Sequence, residues 1–348
     1  MSFSCPKFGF PSLFIDALMS FASPGRLTSP LPNSPLSDNE KGVVLLATYN
    51  GSAYIDDQIL SILGQVGVDV SVVVSDDFST DMTLRCLRSL VSAYPDRVDL
   101  FYGCRQPELM ERSSASNFYY LISSIELSSD IGWVALSDQD DLWHPDRLAR
   151  ALACIVDFSL AGYSSSVMAF WSNGEKCLVK KNGAITKYNH LFEAPGPGCS
   201  FVLPRDSFLQ LQAHLRTHLA SASRIHFHDW AIYAYIRSLG GRWYIDPWPS
   251  LMYRQHDSNV LGVQLTTYSI SRRLSMLLGG WYRAQCLAIA QFVGQSSDEP
   301  AQLLRRFSFL DRVRLALMIV AHRRRSRDKF LLPFAFLCMI PGRLRGES

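Results

Sequence analysis

The chain has 348 residues, of which 48% are hydrophobic and 19% are charged, so it carries enough apolar material for one large packed domain with appendages. The formal net charge of +3 is too small to indicate nucleic acid as a partner. The eight cysteines show neither a Cys-x-x-Cys pair nor zinc-like spacing, which favours reduced thiols in a cytosolic protein.

Residues 1–40 mix short apolar pieces with Pro and Ser. They lack the basic start and uninterrupted apolar run of a secretory signal, so we expect a poorly ordered N-terminal extension. Ordered structure is predicted to begin at Lys41.

Short apolar runs, three of which end in polar or acidic residues, predict strands that are buried on both faces of a parallel sheet. These runs are residues 42–47, 70–75, 98–102 and 132–137. Helical stretches separate them at residues 54–63, 82–94 and 116–125. The alternation predicts an α/β fold with a mostly parallel sheet flanked by helices, and ligands of such sheets bind beyond the carboxyl ends of the strands.

The second half of the chain is less regular. Further strands are predicted at residues 167–171, 200–203, 242–245 and 250–254, and a helix is predicted at 228–239. From about residue 267 the pattern becomes helical and basic. We therefore expect three parts, which are the extension 1–40, an α/β domain at 41–265 and a helical basic C-terminal region at 266–348.

The motif Asp138-Gln139-Asp140-Asp141 follows an apolar strand. Two carboxylates one residue apart could hold a hard divalent cation whose shell is completed by substrate phosphate, and such a metal would neutralise a diphosphate leaving group. The alternative is an acidic loop that caps a helix beginning near His144. Both could hold, with Asp141 capping while Asp138 and Asp140 bind ligand.

Polar loops follow the first two strands as well. In the loop 76–81, Asp77 could accept the imide N–H of a uracil or thymine ring, although helix capping would also explain an acidic loop at this place. Thr48, Tyr49 and Asn50 end the first strand and could supply backbone contacts and an aromatic ring to a base.

Two further groups of polar residues lie later in the chain. Asp229, between His228 and Trp230, starts a predicted helix, where it could act as a general base or simply as a favourable N-terminal charge. Arg254 and His256 suit a diphosphate or a metal, although a single His is more often structural.

Taken together, these groups resemble the family-two glycosyltransferases of GT-A fold, and most closely their bacterial rhamnosyltransferase-like branch. The resemblance covers roughly residues 42–262. It is carried by Ala47-Thr48-Tyr49-Asn50-Gly51, residues 75–83, Ser116-Asn117-Phe118, residues 138–143, Pro197-Gly198-Cys199, Asp229 and residues 254–262.

The resemblance implies roles for these residues. The nucleotide or donor would be bound by Thr48, Tyr49, Asn50, Asp77, Asp138 and Arg254. Asp140 and His256 would hold Mg²⁺ or Mn²⁺, and Asp229 would be the catalytic base of an inverting transfer. Gly198, Cys199 and Trp230 would border the acceptor pocket.

The implied function is transfer of a sugar, with rhamnose as the first choice, from dTDP-rhamnose or a UDP-hexose to a glycan or lipid-linked glycan in surface polysaccharide synthesis. Two alternatives were weighed. One is a non-catalytic nucleotide-sugar-binding module, and the other is a haloacid-dehalogenase-type phosphatase with Asp138 as nucleophile. In the phosphatase the motif would normally lie on the first strand and be followed by Thr or Val, whereas Leu142 occupies that position here.

The C-terminal region alternates apolar pieces with arginine pairs and the run His322-Arg323-Arg324-Arg325. Such a pattern is typical of an element that lies on an anionic membrane face, and it also suits core-packing helices with solvated arginines. We expect a cytoplasmic protein with peripheral contact to the inner face of the cell membrane.

Overall fold

The computed structural model describes residues 41–101, 112–256, 279–324 and 326–339. The predicted N-terminal extension and the pair Arg272-Arg273 lie outside these residues. The strands are β1 (Lys41–Thr48), β2 (Asp69–Asp76), β3 (Val98–Phe101), β4 (Trp133–Ser137), β5 (Leu142–Trp143), β6 (Gly162–Phe170), β7 (Lys176–Val179), β8 (Val202–Pro204) and β9 (Trp243–Arg254).

Helices connect and cover these strands. They are α1 (Ile55–Leu63), α2 (Thr83–Ala93), α3 (Ser114–Ser124), α4 (Arg147–Phe158), α5 (Asn189–Phe192), α6 (Arg205–Ala222), α7 (His228–Ser238), α8 (Trp281–Phe292), α9 (Glu299–Arg306), α10 (Phe309–His322) and α11 (Ser326–Cys338). Within the described part of the chain, we find no helix with the length and apolar character needed to cross a membrane.

The strands form one mixed sheet in the order β3-β2-β1-β4-β8-β6-β9-β5, and β7 pairs with β6. The first four in this order are parallel to one another, and β8 joins the two halves through antiparallel pairs with β4 and β6. In register, Thr48 lies opposite Asp76 and Leu46 lies opposite Ser137. The carboxyl ends of β1, β2 and β4 therefore meet at one edge, which confirms the predicted mostly parallel α/β fold.

The central strand β1 is buried on both faces, as its continuous apolar run predicts. Val43 and Leu45 face a cluster that includes side chains of α3, α6 and α7. Val44 and Leu46 face the opposite cluster, which includes side chains of α1, α2 and α4. Two helical layers thus hold the sheet between them, and only the polar ends of the strands reach the surface where a ligand could bind.

The predicted elements differ from the structure mainly in the second half. The two strands predicted at 242–245 and 250–254 are one strand, β9, because Pro247 and Trp248 are accommodated by a register shift against β6 between Ser165 and Ser166. The helix α6 and the short strand β5 had not been predicted.

Candidate active site

Gln139, the residue between the first two carboxylates of the acidic motif, fastens the loop after β4 to the loop after β1. Its Oε1 accepts the Thr48 hydroxyl at 2.6 Å and the Tyr49 N–H at 2.8 Å, and its Nε2 donates to the Tyr49 carbonyl at 3.1 Å. Thr48 is only 2% exposed, so its hydroxyl serves this contact. This role of Gln139 could not be predicted, since its partners Thr48 and Tyr49 lie about ninety residues away in the chain.

The loop after β2 is held by its own side chains and by Asn50. Asn50 has φ of 49°, and its Oδ1 accepts the Thr80 N–H at 2.8 Å. Asp76 accepts from the N–H and hydroxyl of Ser79. Although burial acts to raise it, hydrogen bonds from Thr83 and Ser52 lower the pKa of Asp81 to about 2. Asp76 and Asp81 therefore stabilise the conformation of this loop through their hydrogen bonds.

Asp77 is half-buried in the same loop, and its N–H donates to the Thr48 carbonyl at 2.9 Å. Two aromatic side chains are exposed beside it, Tyr49 at 46% and Phe78 at 52%. The guanidinium of Arg112 lies 5.5 Å from the centre of the Phe78 ring. A carboxylate beside exposed rings is an arrangement that can receive a planar base by hydrogen bonding and stacking.

The acidic motif places its three carboxylates in different surroundings. Asp141 is fully buried; its Oδ1 accepts the Arg254 N–H at 3.1 Å, and its Oδ2 has no hydrogen-bond partner among the described residues. The helix that follows begins at Arg147 with Asp146 at its N-cap, so the alternative that Asp141 caps this helix is wrong. Burial and the charges of Asp140 and Asp138 hold the pKa of Asp141 well above its usual range.

Asp138 is partly exposed at the same loop. Burial, followed by the charges of Asp140 and Asp229, raises the pKa of Asp138 to about 7. The thiol of Cys199 lies within 4.8 Å of ligand oxygens of Asp138 and Asp141, and these three residues could hold a metal ion. The site thus concentrates acidic groups that are costly to ionise without a cation.

Asp140 binds the residues that follow β9. Its Oδ2 lies 2.7 Å from Nε2 of His256, and its carbonyl accepts from Nε of Arg254 at 2.8 Å. The His256 ring stacks on the Tyr54 ring with ring centres 5.1 Å apart, and the guanidinium of Arg254 lies 4.9 Å from the centre of the Tyr54 ring. The structure therefore brings together Asp140, His256 and Arg254, three residues that the sequence analysis assigned to metal and diphosphate.

The turn before β8 is fixed by close packing against the start of α7. A Cβ on Gly198 would lie 2.3 Å from Nε2 of His228, so this position has room for glycine alone. His228 stacks on Phe118 with ring centres 4.0 Å apart, and burial lowers its pKa to about 3, which keeps the ring neutral. Cys199, beside Gly198, is fully buried behind the acidic motif.

Asp229 is partly exposed at the first turn of α7. Its Oδ1 accepts the Trp230 N–H at 2.7 Å. Burial raises the pKa of Asp229 to about 6, although the Trp230 N–H and the charge of Lys181 act in the opposite direction. Lys181 was missed by the sequence analysis because it lies in an irregular segment after β7. Asp229 combines partial exposure with a pKa close to neutral, which suits a general base.

Trp230 points away from the surface. It is 4% exposed, and its indole N–H donates to the His190 carbonyl at 2.8 Å. Its ring stacks on Tyr282 of α8 at 6.0 Å. The side chain has a packing role here, and its contact with an acceptor stays a prediction.

Arg323 and Arg324, from the basic run at the end of α10, bind the segment before the Gly198 turn. Both guanidinium groups lie 3.5 Å from carboxylate oxygens of Glu193, and the Arg324 N–H donates to Glu193 at 2.9 Å. They also donate to the carbonyls of Phe192 and Ala194. These two arginines are therefore internal ties, not the solvated or membrane-facing cations that the sequence pattern indicated. We call this group the Glu193 clamp.

A mixed sheet with a parallel half and an acidic motif at its carboxyl edge is typical of glycosyltransferases of GT-A fold. The Glycosyl transferase family 2 model matches residues 43–176. The chain is 33% identical over 288 residues, which cover 82% of this chain and 97% of the relative, to the dTDP-rhamnosyl transferase RfbG of Shigella flexneri. The chain belongs to the family 2 glycosyltransferases, and this membership sets aside the phosphatase and the non-catalytic module.

Solved structures give further similarities. A mannosyltransferase, PcManGT from Pyrobaculum calidifontis in complex with GDP-Man and Mn²⁺, matches with a TM-score of 0.47 and 16% identity, covering 94% of this chain and 92% of that one. TarS 1-349 of S. aureus in complex with UDP-GlcNAc matches with a TM-score of 0.46 and 14% identity, covering 85% and 90%.

Proposed function

We propose that this glycosyltransferase moves a sugar, with rhamnose as the first choice, from a nucleoside diphosphate donor to a hydroxyl of a glycan or lipid-linked glycan in surface polysaccharide synthesis. The choice of dTDP-rhamnose is supported by the similarity to RfbG, which extends over 82% of this chain and 97% of RfbG. UDP-hexoses are the second choice. A lipid-linked acceptor would be met at the inner face of the cell membrane.

The donor lies across the carboxyl edge of β1, β2 and β4 in this proposal. Asp77 accepts the imide N–H of thymine or uracil, while Tyr49 and the polar loop at Thr48 and Asn50 surround the base. Asp138 hydrogen-bonds the ribose or the donor sugar. This assignment is supported by Gln139, because its three hydrogen bonds hold the base-binding loop against the acidic motif.

Asp140 and His256 would hold Mg²⁺ or Mn²⁺. The residues fit such an ion, because a carboxylate and an imidazole already meet at 2.7 Å, and further ligand atoms of Asp138, Asp141 and Cys199 lie within 4.8 Å of one another. When bound, the metal supplies positive charge that stabilises the departing diphosphate. Arg254 offers a further cation on the same side, held by its bond to the Asp140 carbonyl.

Asp229 acts as the base, and its position at the acidic site is the single observation that carries the mechanism. The start of α7 packs against Gly198, and the neighbouring Cys199 lies within 4.8 Å of ligand oxygens of Asp138 and Asp141, so Asp229 lies close to the acidic motif. The acceptor hydroxyl gives its proton to Asp229 while its oxygen bonds to the anomeric carbon, and the electron pair of the broken bond leaves with the diphosphate. A single displacement inverts the anomeric centre. Gly198 and Cys199 border the acceptor side.

The test is release of nucleoside diphosphate from a panel of nucleotide-sugars with Mg²⁺ or Mn²⁺. Wild type is compared with Asp140→Ala, with Asp229→Asn and with Asp99→Asn, an exposed carboxylate of β3 outside the site. We expect metal-dependent dTDP release that Asp140→Ala loses and Asp99→Asn keeps. Asp229→Asn should lose transfer to an acceptor while it still binds donor. Absence of binding to every nucleotide-sugar would overturn the proposal.

A further inference from the structure

The last two helices, α10 and α11, each expose several large apolar side chains. Leu317 is 67% exposed, Phe330 is 78% exposed and Phe334 is 69% exposed. More than half of the exposed large hydrophobic residues in the described chain lie on α10 and α11. We call this set the hairpin surface, and its members are Phe309, Leu310, Leu317, Val320, Phe330, Leu331, Phe334 and Leu337.

The exposed residues follow helical spacing, so they form faces and not scattered points. Phe330, Phe334 and Leu337 lie on one side of α11, while Leu332 and Phe336 are buried on the other. A helix at the surface of a globular protein normally has a polar outer face. In α11 both faces are apolar, and among the described residues the outer face has no packing partner.

Cations accompany this apolar surface. On α10, Leu310, Arg314 and Leu317 are exposed at spacings of four and three residues, so the arginine stands between two leucines on one face. Lys329 directly precedes Phe330 on α11, so a second cation stands beside the first phenylalanine of this surface. Apolar side chains flanked by Arg and Lys match the boundary between acyl chains and anionic lipid headgroups.

We infer that the hairpin surface docks this transferase on an anionic lipid bilayer, with the phenylalanines and leucines entering the headgroup boundary and the cations meeting lipid phosphates. A second copy of the chain fits less well. A two-fold dimer through this face would bury the exposed Arg314 of both copies among apolar side chains, where desolvating the charge is costly.

Docking at this surface would also set the position of the proposed acceptor side relative to the membrane. The clamp residues Arg323 and Arg324 follow α10 directly and bind Glu193, five residues before Gly198. The lipid-contacting helices are thus tied to the segment that borders the proposed acceptor pocket. The inference rests on the proposed function only for the lipid-linked acceptor, since lipid binding can be measured without any transfer.

The experiment is sedimentation of the full chain with vesicles of phosphatidylcholine alone or of phosphatidylcholine mixed with phosphatidylglycerol. Phe330→Ser/Phe334→Ser removes two apolar side chains from the surface, and Arg314→Glu reverses its central charge. Val156→Ser/Leu239→Ser is the matched control, because these residues are also exposed, at 57% each, but lie on α4 and after α7. Donor hydrolysis without lipid shows that each variant is folded.

We expect wild type to sediment with the anionic vesicles, and the Phe330→Ser/Phe334→Ser variant to bind them at least about tenfold more weakly. Arg314→Glu should weaken binding to anionic vesicles most at low salt. The control variant should bind as wild type, and all variants should hydrolyse donor normally. Equal binding by all variants, or none by wild type, would overturn the inference. So would a dimer in solution that the double phenylalanine variant dissociates.

Discussion

Replacing Glu193 tests how strongly the C-terminal helices hold the segment before Gly198. Its carboxylate is 8% exposed and lies 3.5 Å from each of two guanidinium groups, those of Arg323 and Arg324, which are 13% and 5% exposed. Removing one member of a buried ion pair typically costs about 3–5 kcal/mol, because the remaining charges stay buried without a partner. We expect Glu193→Ala to lower the free energy of unfolding by about 3 kcal/mol or more.

The measurement is urea-induced unfolding followed by tryptophan fluorescence. Glu193→Gln keeps an oxygen for the Arg324 N–H, which lies at 2.9 Å, and should cost less than the alanine variant. Glu126→Ala is the control, since Glu126 pairs with Arg216 at 2.8 Å but is 87% exposed, and exposed pairs contribute about 0–1 kcal/mol. If Glu193→Ala were no less stable than Glu126→Ala, the clamp would not hold the segment. Glu193→Gln should raise the KM for acceptor and leave donor hydrolysis unchanged.

Three further outcomes are expected. Gly198→Ala should lower the free energy of unfolding by about 1–3 kcal/mol in the same urea assay, because the added Cβ would clash with His228. The double variant Gly198→Ala/His228→Ala should recover part of that loss. An unchanged stability of Gly198→Ala would contradict the close packing. Because Asp229 must be deprotonated to act as a base and its pKa is about 6, kcat/KM should rise with pH up to about 6 and then level off, whereas a flat profile between pH 5 and 7 would refute its role. His256→Ala should weaken metal activation about 10–100-fold while Asp140→Ala abolishes it, measured by titrating Mn²⁺ into the release assay; equal activation by metal in His256→Ala and wild type would exclude His256 from the site.

The parallel half of the sheet was predictable because its signals are local. Each strand from β1 to β4 is a short apolar run that ends in polar residues, and the parallel arrangement then brings those ends to one edge. The acidic motif, Asp229, Arg254 and His256 were predicted as site residues for the same reason, since each stands at the end of a predicted strand or the start of a predicted helix. Their catalytic and binding roles stay predictions.

What could not be predicted depends on contacts between distant parts of the chain. In the sequence, Gln139 is an ordinary loop residue. Only the fold shows that its side-chain oxygen accepts the N–H of Tyr49. Arg323 and Arg324 belong to a basic run whose composition predicts contact with an anionic surface. The fold shows instead that both arginines form buried ion pairs with Glu193. The same basic sequence pattern thus contains both the buried arginines that pair with Glu193 and Lys329 beside the hairpin surface.

The Glu193 clamp also sets an order of events during synthesis. Glu193 leaves the ribosome about 130 residues before Arg323 and Arg324, and at about 5–20 residues per second that interval lasts roughly 7–25 seconds. Throughout it, the segment before Gly198 exists without the two cations that later hold it. The four parallel strands β1 to β4 are complete in the sequence by Ser137, so the whole parallel half of the sheet has been synthesised before the clamp can form.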